Sequence, residues 1–162
     1  MEYRIGQGYD VHALAEGLPM WLGGVRIPSE TGFVAHSDGD VAIHALCDAL
    51  LGALALGDIG HLFPDTDDRW KGVDSKELLA AVIALPEFQG WRIGNADITI
   101  IAQKPKLAPY VPKMREALAV VLGIGADHVS IKAKTAEGLD SVGHCQAIEA
   151  HAAVILFPKE EN

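Results

Sequence analysis

The stretch "HSDGDVAIHALCDALLGALALGDIG", residues 36–60, constrains the fold more than any other. Its apolar residues recur at helical spacing. Ser37, Asp38 and Asp40 offer N-cap oxygens at its start, and Gly57 is a suitable stop. Within the helix Asp40, His44 and Asp48 stand at i, i+4 and i+8 and share one face, whereas Ala42, Leu46 and Leu50 mark a different stripe. A histidine one turn inside a helix can meet groups on a strand packed against it. Residues 2–12 read as such a strand, loosened by Gly6 and Gly8. Asp10 and His12 lie two apart on it, so they project from the same side of the extended chain.

The rest of the chain alternates strand and helix signals. "PMWLGGVRIPS" places apolar runs on both sides of Gly23-Gly24, a hairpin pattern. "DIGHLFPDTDDRWKGVDS", rich in Asp, Gly and Pro, reads as a loop, and loops of that length are often functional. "DSKELLAAVIAL" opens a second helix with Asp74, Ser75 and Glu77 as capping candidates. "ADITIIAQ" is a strand, "KPKLAPYVP" a loop, "KMREALAVVLG" a helix and "HVSIKAK" a strand. In the final strand, "QAIEAHAAVILF", Ile148, Ala150, Ala152, Val154 and Leu156 form one apolar face. The other face carries Glu149 and His151 before turning apolar, which suits burial between subunits. The expected architecture is a single α/β domain over residues 1–162 of the α+β two-layer kind, a mixed β-sheet packed on one layer of helices.

Composition limits the partners. A net charge of −9 argues against nucleic-acid binding, which needs phosphate neutralisation by Lys and Arg. An anionic small substrate then needs local help from a metal, from backbone N–H groups, or from Lys104, Lys106, Lys132 and Lys134. No apolar run is long enough for a membrane span, and the start shows no secretory signal. Cys47 and Cys145 are too few for a disulfide framework, so a cytoplasmic setting is expected.

Asp10, His12 and His44 make a three-ligand set of a kind suited to zinc, with a fourth position left for substrate. Asp40 or Asp48 could orient a liganding imidazole. Taken singly, His12 reads as a surface histidine, His44 as a half-buried residue bonded to backbone, and Asp40 as an N-cap. His36 and Ser37 lie at a helix entrance, where free N–H groups attract anions, although Ser37 also reads as a cap. Lys134, Thr135 and Glu137 could hold a phosphate and a bridging Mg²⁺, but by spacing alone an ordinary charged strand end is the simpler reading. "GQG" lacks the third glycine of a dinucleotide fingerprint.

Together, "RIGQGYDVH", "GGVRIP", "HSDGDVAIHALCDALLGALALGDIGHLFPDTD", "KGVDSKELL", "ITIIAQKPKLAP" and "IKAKTAEGL" resemble the 2-C-methyl-D-erythritol 2,4-cyclodiphosphate synthases, in order and along nearly the whole chain. The resemblance implies a homotrimer in a chorismate-mutase-like arrangement, with active sites between subunits. It implies an enzyme of the non-mevalonate isoprenoid route, a lyase that converts 4-diphosphocytidyl-2-C-methyl-D-erythritol 2-phosphate to the 2,4-cyclodiphosphate and CMP. Association with other pathway enzymes, sometimes as a fusion, is part of the same expectation.

Carried over residue by residue, the resemblance makes Asp10, His12 and His44 the Zn²⁺ ligands. Glu137 becomes the ligand of Mg²⁺ or Mn²⁺ together with substrate phosphates. His36 and Thr135 align the reacting phosphates, with Ser37 beside them. Asp58, Ile59 and Gly60 contact the ribose and erythritol region. Phe63, Pro64, Asp65, Thr66 and Asp67 close over the methylerythritol part. The cytidine diphosphate falls to Ala102, Gln103, Lys104, Pro105, Lys106, Leu107 and Ala108 of the neighbouring subunit, with Ala133, Lys134 and Ala136. The chain departs from the family in "GLDSVGHCQAIEA": Ser141 replaces a common aromatic and His144 a common arginine. That change weakens the hold of a trimer-axis cavity on an isoprenoid diphosphate, and Cys145 and His151 are read as packing and subunit contacts. Two other readings compete. A zinc phosphohydrolase would release linear product. A trimeric binding protein for isoprenoid diphosphates would have no need of the metal residues.

Overall fold

The computed structural model describes residues 2–64 and 66–159. Its first strand, β1 (Arg4–Glu16), turns Gly6, Gly8, Asp10 and His12 inward and leaves Ile5, Tyr9 and Val11 exposed. The helix expected from residues 36–60 is α1 (Val41–Ala53), and it lies directly on β1. A Cβ added at Gly6 would stand 1.7 Å from the Ala49 carbonyl oxygen, and one at Gly8 would stand 1.9 Å from that of Ala45. Those are backbone atoms, so no rotamer change could relieve the clash. The two glycines therefore do not loosen the strand, as the sequence suggested. They let a helix press its backbone against it.

A hairpin of β2 (Met20–Leu22) and β3 (Val25–Ile27) follows, as expected, and then β4 (Thr31–Phe33). After α1 come a short α2 (Ile59–Leu62), α3 (Ser75–Ile83), β5 (Trp91–Ile101), α4 (Val111–Leu122), β6 (Val129–Lys134), a four-residue α5 (Asp140–Gly143) and β7 (Ala147–Pro158). Among the described residues the main sheet runs β4-β1-β7-β5-β6. Only the β5–β6 pair in it is parallel, so the sheet is mixed. Helices α1 and α4 pack on the sheet and α3 packs against both of them, an α+β two-layer arrangement. On β7 the alternation is as expected: Ile148, Ala150, Ala152, Val154 and Leu156 are buried under the helices, and Glu149 and His151 point to the open face.

Several boundaries differ from expectation, each for a local reason. Helix α1 stops at Ala53, not Gly57. The N–H groups of Ala55 and Leu56 return to the carbonyls of Gly52 and Leu51, the bonding of a Schellman turn, and Ala55 takes the left-handed position at φ 58°. The segment read as a loop after Gly57 contains α2 and a 3-10 turn at Asp68–Trp70. Asp58 and Asp67 cap them by accepting the N–H groups of His61 and Arg69. Strand β5 begins at Trp91 rather than Ala96, with an irregularity around Gly94, where the Phe157 ring leaves no room for a Cβ.

The close approach can be tested by a pair of substitutions read by urea denaturation. Gly8→Ala forces α1 off β1 and is expected to cost about 3 kcal/mol or more. Gly52→Ala, on the exposed side of α1 where no atom lies closer than 3.8 Å, is expected to add about 0.5–1 kcal/mol. Equal effects would contradict the packing argument.

Candidate metal centre

The backbone contact between β1 and α1 brings three side chains to one point. Asp10 Oδ2 lies 2.8 Å from His12 Nε2 and 3.1 Å from His44 Nδ1, and the two nitrogens are 3.2 Å apart. Among the described residues this is the group of His, Cys, Asp or Glu that could hold a metal ion. Ligands at the corners of a tetrahedral zinc site stand about 3.3 Å apart, so the donor set fits with small adjustment. It also needs a cation. Two ring nitrogens and a carboxylate oxygen in mutual contact repel unless a proton or a metal lies between them. Burial works to raise the Asp10 carboxyl, but the His12 and His44 imidazoles beside it outweigh that and bring the group down to about 2. Asp10 is thus ionised, as a ligand must be.

The three residues open onto a cavity of about 380 Å³ lined also by His36, Ser37, Ile59, Gly60, Phe63 and Trp70. The Phe63 and Trp70 rings meet edge to face at 4.9 Å, and His36 Nε2 reaches toward the Asp67 carbonyl at 3.4 Å. Asp58, the N-cap of α2, stands just before Ile59 and Gly60 of this wall, and Pro64, Thr66 and Asp67 continue the segment. Asp65 lies outside the described residues.

The other expected residues gather elsewhere. Ala102, Gln103, Pro105, Lys106, Leu107 and Ala108 line a second cavity of about 300 Å³ with Ala133, Lys134 and Thr135. Lys104 lines an adjoining one with Lys106 and Cys145. The Ala102 N–H to Lys134 carbonyl bond and the Gly138 N–H to Gln103 Oε1 bond tie these two segments together. Glu137 is exposed, sits at φ 53°, and accepts the Thr135 hydroxyl at 3.0 Å. It does not line the metal cavity. One chain therefore holds the expected residues in two groups.

Two expectations about the helix are corrected. Asp40 and Asp48 do not orient an imidazole. Asp40 is fully buried and accepts the N–H groups of Gly23, Gly24 and Ile43, so it caps α1 and pins the hairpin to it. Asp48 accepts the Ile59 N–H at 2.8 Å, tying α1 to the first residue of α2, and burial pushes its carboxyl up. Ser37 does not cap α1 either. His44 Nε2 instead meets Ser37 Oγ at 3.1 Å and Ser75 Oγ at 3.0 Å, and Ser75 is bonded to Asp38. His44 is thus held by side chains, not by backbone. The role of Ser75 and Asp38 was hidden because 37 residues separate them.

The sequence pattern of the YgbB family matches residues 3–157. A protein of Azotobacter vinelandii named 2-C-methyl-D-erythritol 2,4-cyclodiphosphate synthase is 58% identical over 95% of this chain and 98% of its own length. The solved structure of the bifunctional IspDF from Campylobacter jejuni is similar at 39% identity and a TM-score of 0.93, over 98% of this chain and 43% of that one. The chain thus spans less than half of that bifunctional protein. IspF of Plasmodium falciparum, solved as a CDP complex, is similar at 38% identity and a TM-score of 0.85, over 98% of this chain and 97% of that one.

His44→Ala should leave the fold intact and abolish bound zinc, measured by elemental analysis beside the wild type. Full zinc occupancy in the variant would refute the ligand assignment.

Proposed function

The chain belongs to the YgbB family, and from that premise we propose that it converts 4-diphosphocytidyl-2-C-methyl-D-erythritol 2-phosphate to 2-C-methyl-D-erythritol 2,4-cyclodiphosphate and CMP, in the non-mevalonate isoprenoid route. The observation that carries the reading is the Asp10–His12–His44 cluster opening onto a cavity, in a chain 58% identical to a protein of that name. The substrate carries its own nucleophile. An oxygen of the 2-phosphate attacks the β-phosphorus, the bond from that phosphorus to the bridging oxygen breaks, and CMP leaves with the bond electrons. Such a reaction is that of a phosphorus–oxygen lyase. It needs no strong general base, only alignment and charge stabilisation of two repelling anions.

In this reading Asp10, His12 and His44 hold Zn²⁺, and Glu137 holds Mg²⁺ or Mn²⁺ together with substrate phosphates. When bound, the two cations supply charge neutralisation where the chain's own −9 opposes it. His36, Ser37 and Thr135 orient phosphate oxygens. Asp58, Ile59 and Gly60 position the sugar regions. The segment from Phe63 to Asp67 excludes water. The stretches Ala102–Ala108 and Ala133–Ala136 receive the cytidine diphosphate.

That many of the expected residues line two separate cavities of one chain supports a site completed between copies, as in a homotrimer. The exposed Ile5, Tyr9 and Val11 on the open sheet face support that assembly. The Campylobacter jejuni bifunctional protein makes association with another enzyme of the route a reasonable extension. Among the described residues no helix is long and apolar enough to cross a membrane, and both cysteines are free, in keeping with a cytoplasmic enzyme.

Phosphorus NMR of protein, substrate, Zn²⁺ and Mg²⁺ should show coupled signals of a cyclic diphosphate together with CMP. Inorganic phosphate or a linear product would mean hydrolysis instead. Glu137→Gln should lower turnover on the order of 10²-fold and raise the Mg²⁺ requirement at unchanged zinc content. An unchanged Mg²⁺ response would remove Glu137 from this role.

A further inference from the structure

His44 uses both ring nitrogens. Nδ1 faces Asp10 Oδ2 at 3.1 Å and His12 Nε2 at 3.2 Å, whereas Nε2 faces Ser75 Oγ at 3.0 Å and Ser37 Oγ at 3.1 Å. A metal takes a lone pair, so the nitrogen that carries the proton decides whether the ring can ligate. Two acceptors compete for that proton. The Asp10 carboxylate stands beside Nδ1 and a hydroxyl oxygen beside Nε2. Carboxylates accept more strongly than hydroxyls, so this contest alone would leave the proton on the metal-facing nitrogen.

The surroundings of Ser75 reverse the outcome. Ser75 is fully buried as the first residue of α3. Its hydroxyl has one proton, and that proton goes to Asp38 Oδ1. Asp38 is itself occupied as an acceptor: Oδ2 takes the Ser75 N–H at 3.0 Å, and Oδ1 takes the Asp40 N–H at 3.1 Å. With its proton committed, Ser75 Oγ can meet His44 only as an acceptor. Nε2 therefore donates, and the Nδ1 lone pair points at Asp10 and His12. Ser37 Oγ, which accepts the Gly39 N–H at 3.2 Å, offers Nε2 a second acceptor without an anion behind it.

We propose that Ser75, oriented by Asp38, is a positioning residue that holds His44 in its metal-ready tautomer. The proposal rests on the reading of Asp10, His12 and His44 as a metal centre. It adds that the loop before α1 and the start of α3, neither of which supplies a ligand, determine how tightly that centre binds.

The test combines long-range ¹H–¹⁵N spectra of His44 in metal-free protein with competitive zinc titration. The wild type should show protonated Nε2 and unprotonated Nδ1. Ser75→Ala should shift His44 toward protonated Nδ1 and weaken zinc binding by about 10- to 100-fold at retained fold, while Ser75→Thr, which restores a hydroxyl, recovers both. Should Ser75→Ala not fold, Asp38→Asn carries the same two readouts, because it frees the Ser75 proton to turn toward Nε2. Protonated Nδ1 in the wild type, or unchanged tautomer and affinity in the variants, overturns the proposal. A wild type that binds no zinc overturns the metal reading as well, so the two failures are distinguishable.

Discussion

The structure depends on one contact: the backbone of α1 seated on the backbone of β1 at Gly6 and Gly8. With the carbonyls of Ala45 and Ala49 under 2 Å from where glycine Cβ atoms would be, no other residue permits the approach. It fixes the helix in height and in rotation above the strand. His44 precedes Ala45 on the helix, and Asp10 follows Gly8 by two on the strand. Seating Ala45 on Gly8 therefore sets His44 Nδ1 within about 3 Å of the strand's two ligands. The glycines make no contact with a metal, yet they set the distances in its site.

Around that contact, one buried and two half-buried carboxylates take up backbone N–H groups that would otherwise be unsatisfied. Asp40 gathers three N–H groups and joins hairpin, helix entrance and first turn. Asp48 accepts one N–H at the first residue of α2, and Asp38 accepts the Ser75 N–H and hydroxyl at the start of α3. An unpaired buried donor costs about 1–3 kcal/mol, so these acids both stabilise the fold and hold the walls of the cavity in place. They also explain why a strongly acidic chain can serve anion chemistry. Several of its carboxylates are spent inside on backbone N–H groups, and Asp10 faces the position of a cation.

Much of this was legible in residue order, and what was not has physical causes. The period-2 placement of Asp10 and His12 and the helical placement of His44 follow from local geometry, so the cluster could be anticipated. The alternation of β7 follows for the same reason. The end of α1 could not, because an alanine takes the left-handed position where glycine is usual. The N-cap at Asp40 follows from its place at the helix start, but the imidazole-orienting role offered for Asp40 or Asp48 fails because spacing shows which residues share a helix face and not which turn each one meets. The part of Ser75 and Asp38 is invisible to spacing, since only the packing of α3 brings Ser75 to both His44 and Asp38. The gathering of many of the expected residues into two separate cavities likewise depends on the three-dimensional course of the chain.

The central claim is that two imidazoles and one carboxylate hold a metal and leave a position open. Zinc-edge X-ray absorption on the purified protein tests it most directly. The account predicts a shell of nitrogen and oxygen at about 2.0–2.1 Å with the multiple-scattering signature of two imidazoles and a fourth light ligand. Sulfur at about 2.3 Å, which would place the ion on Cys47 or Cys145, or a shell without imidazole would contradict it.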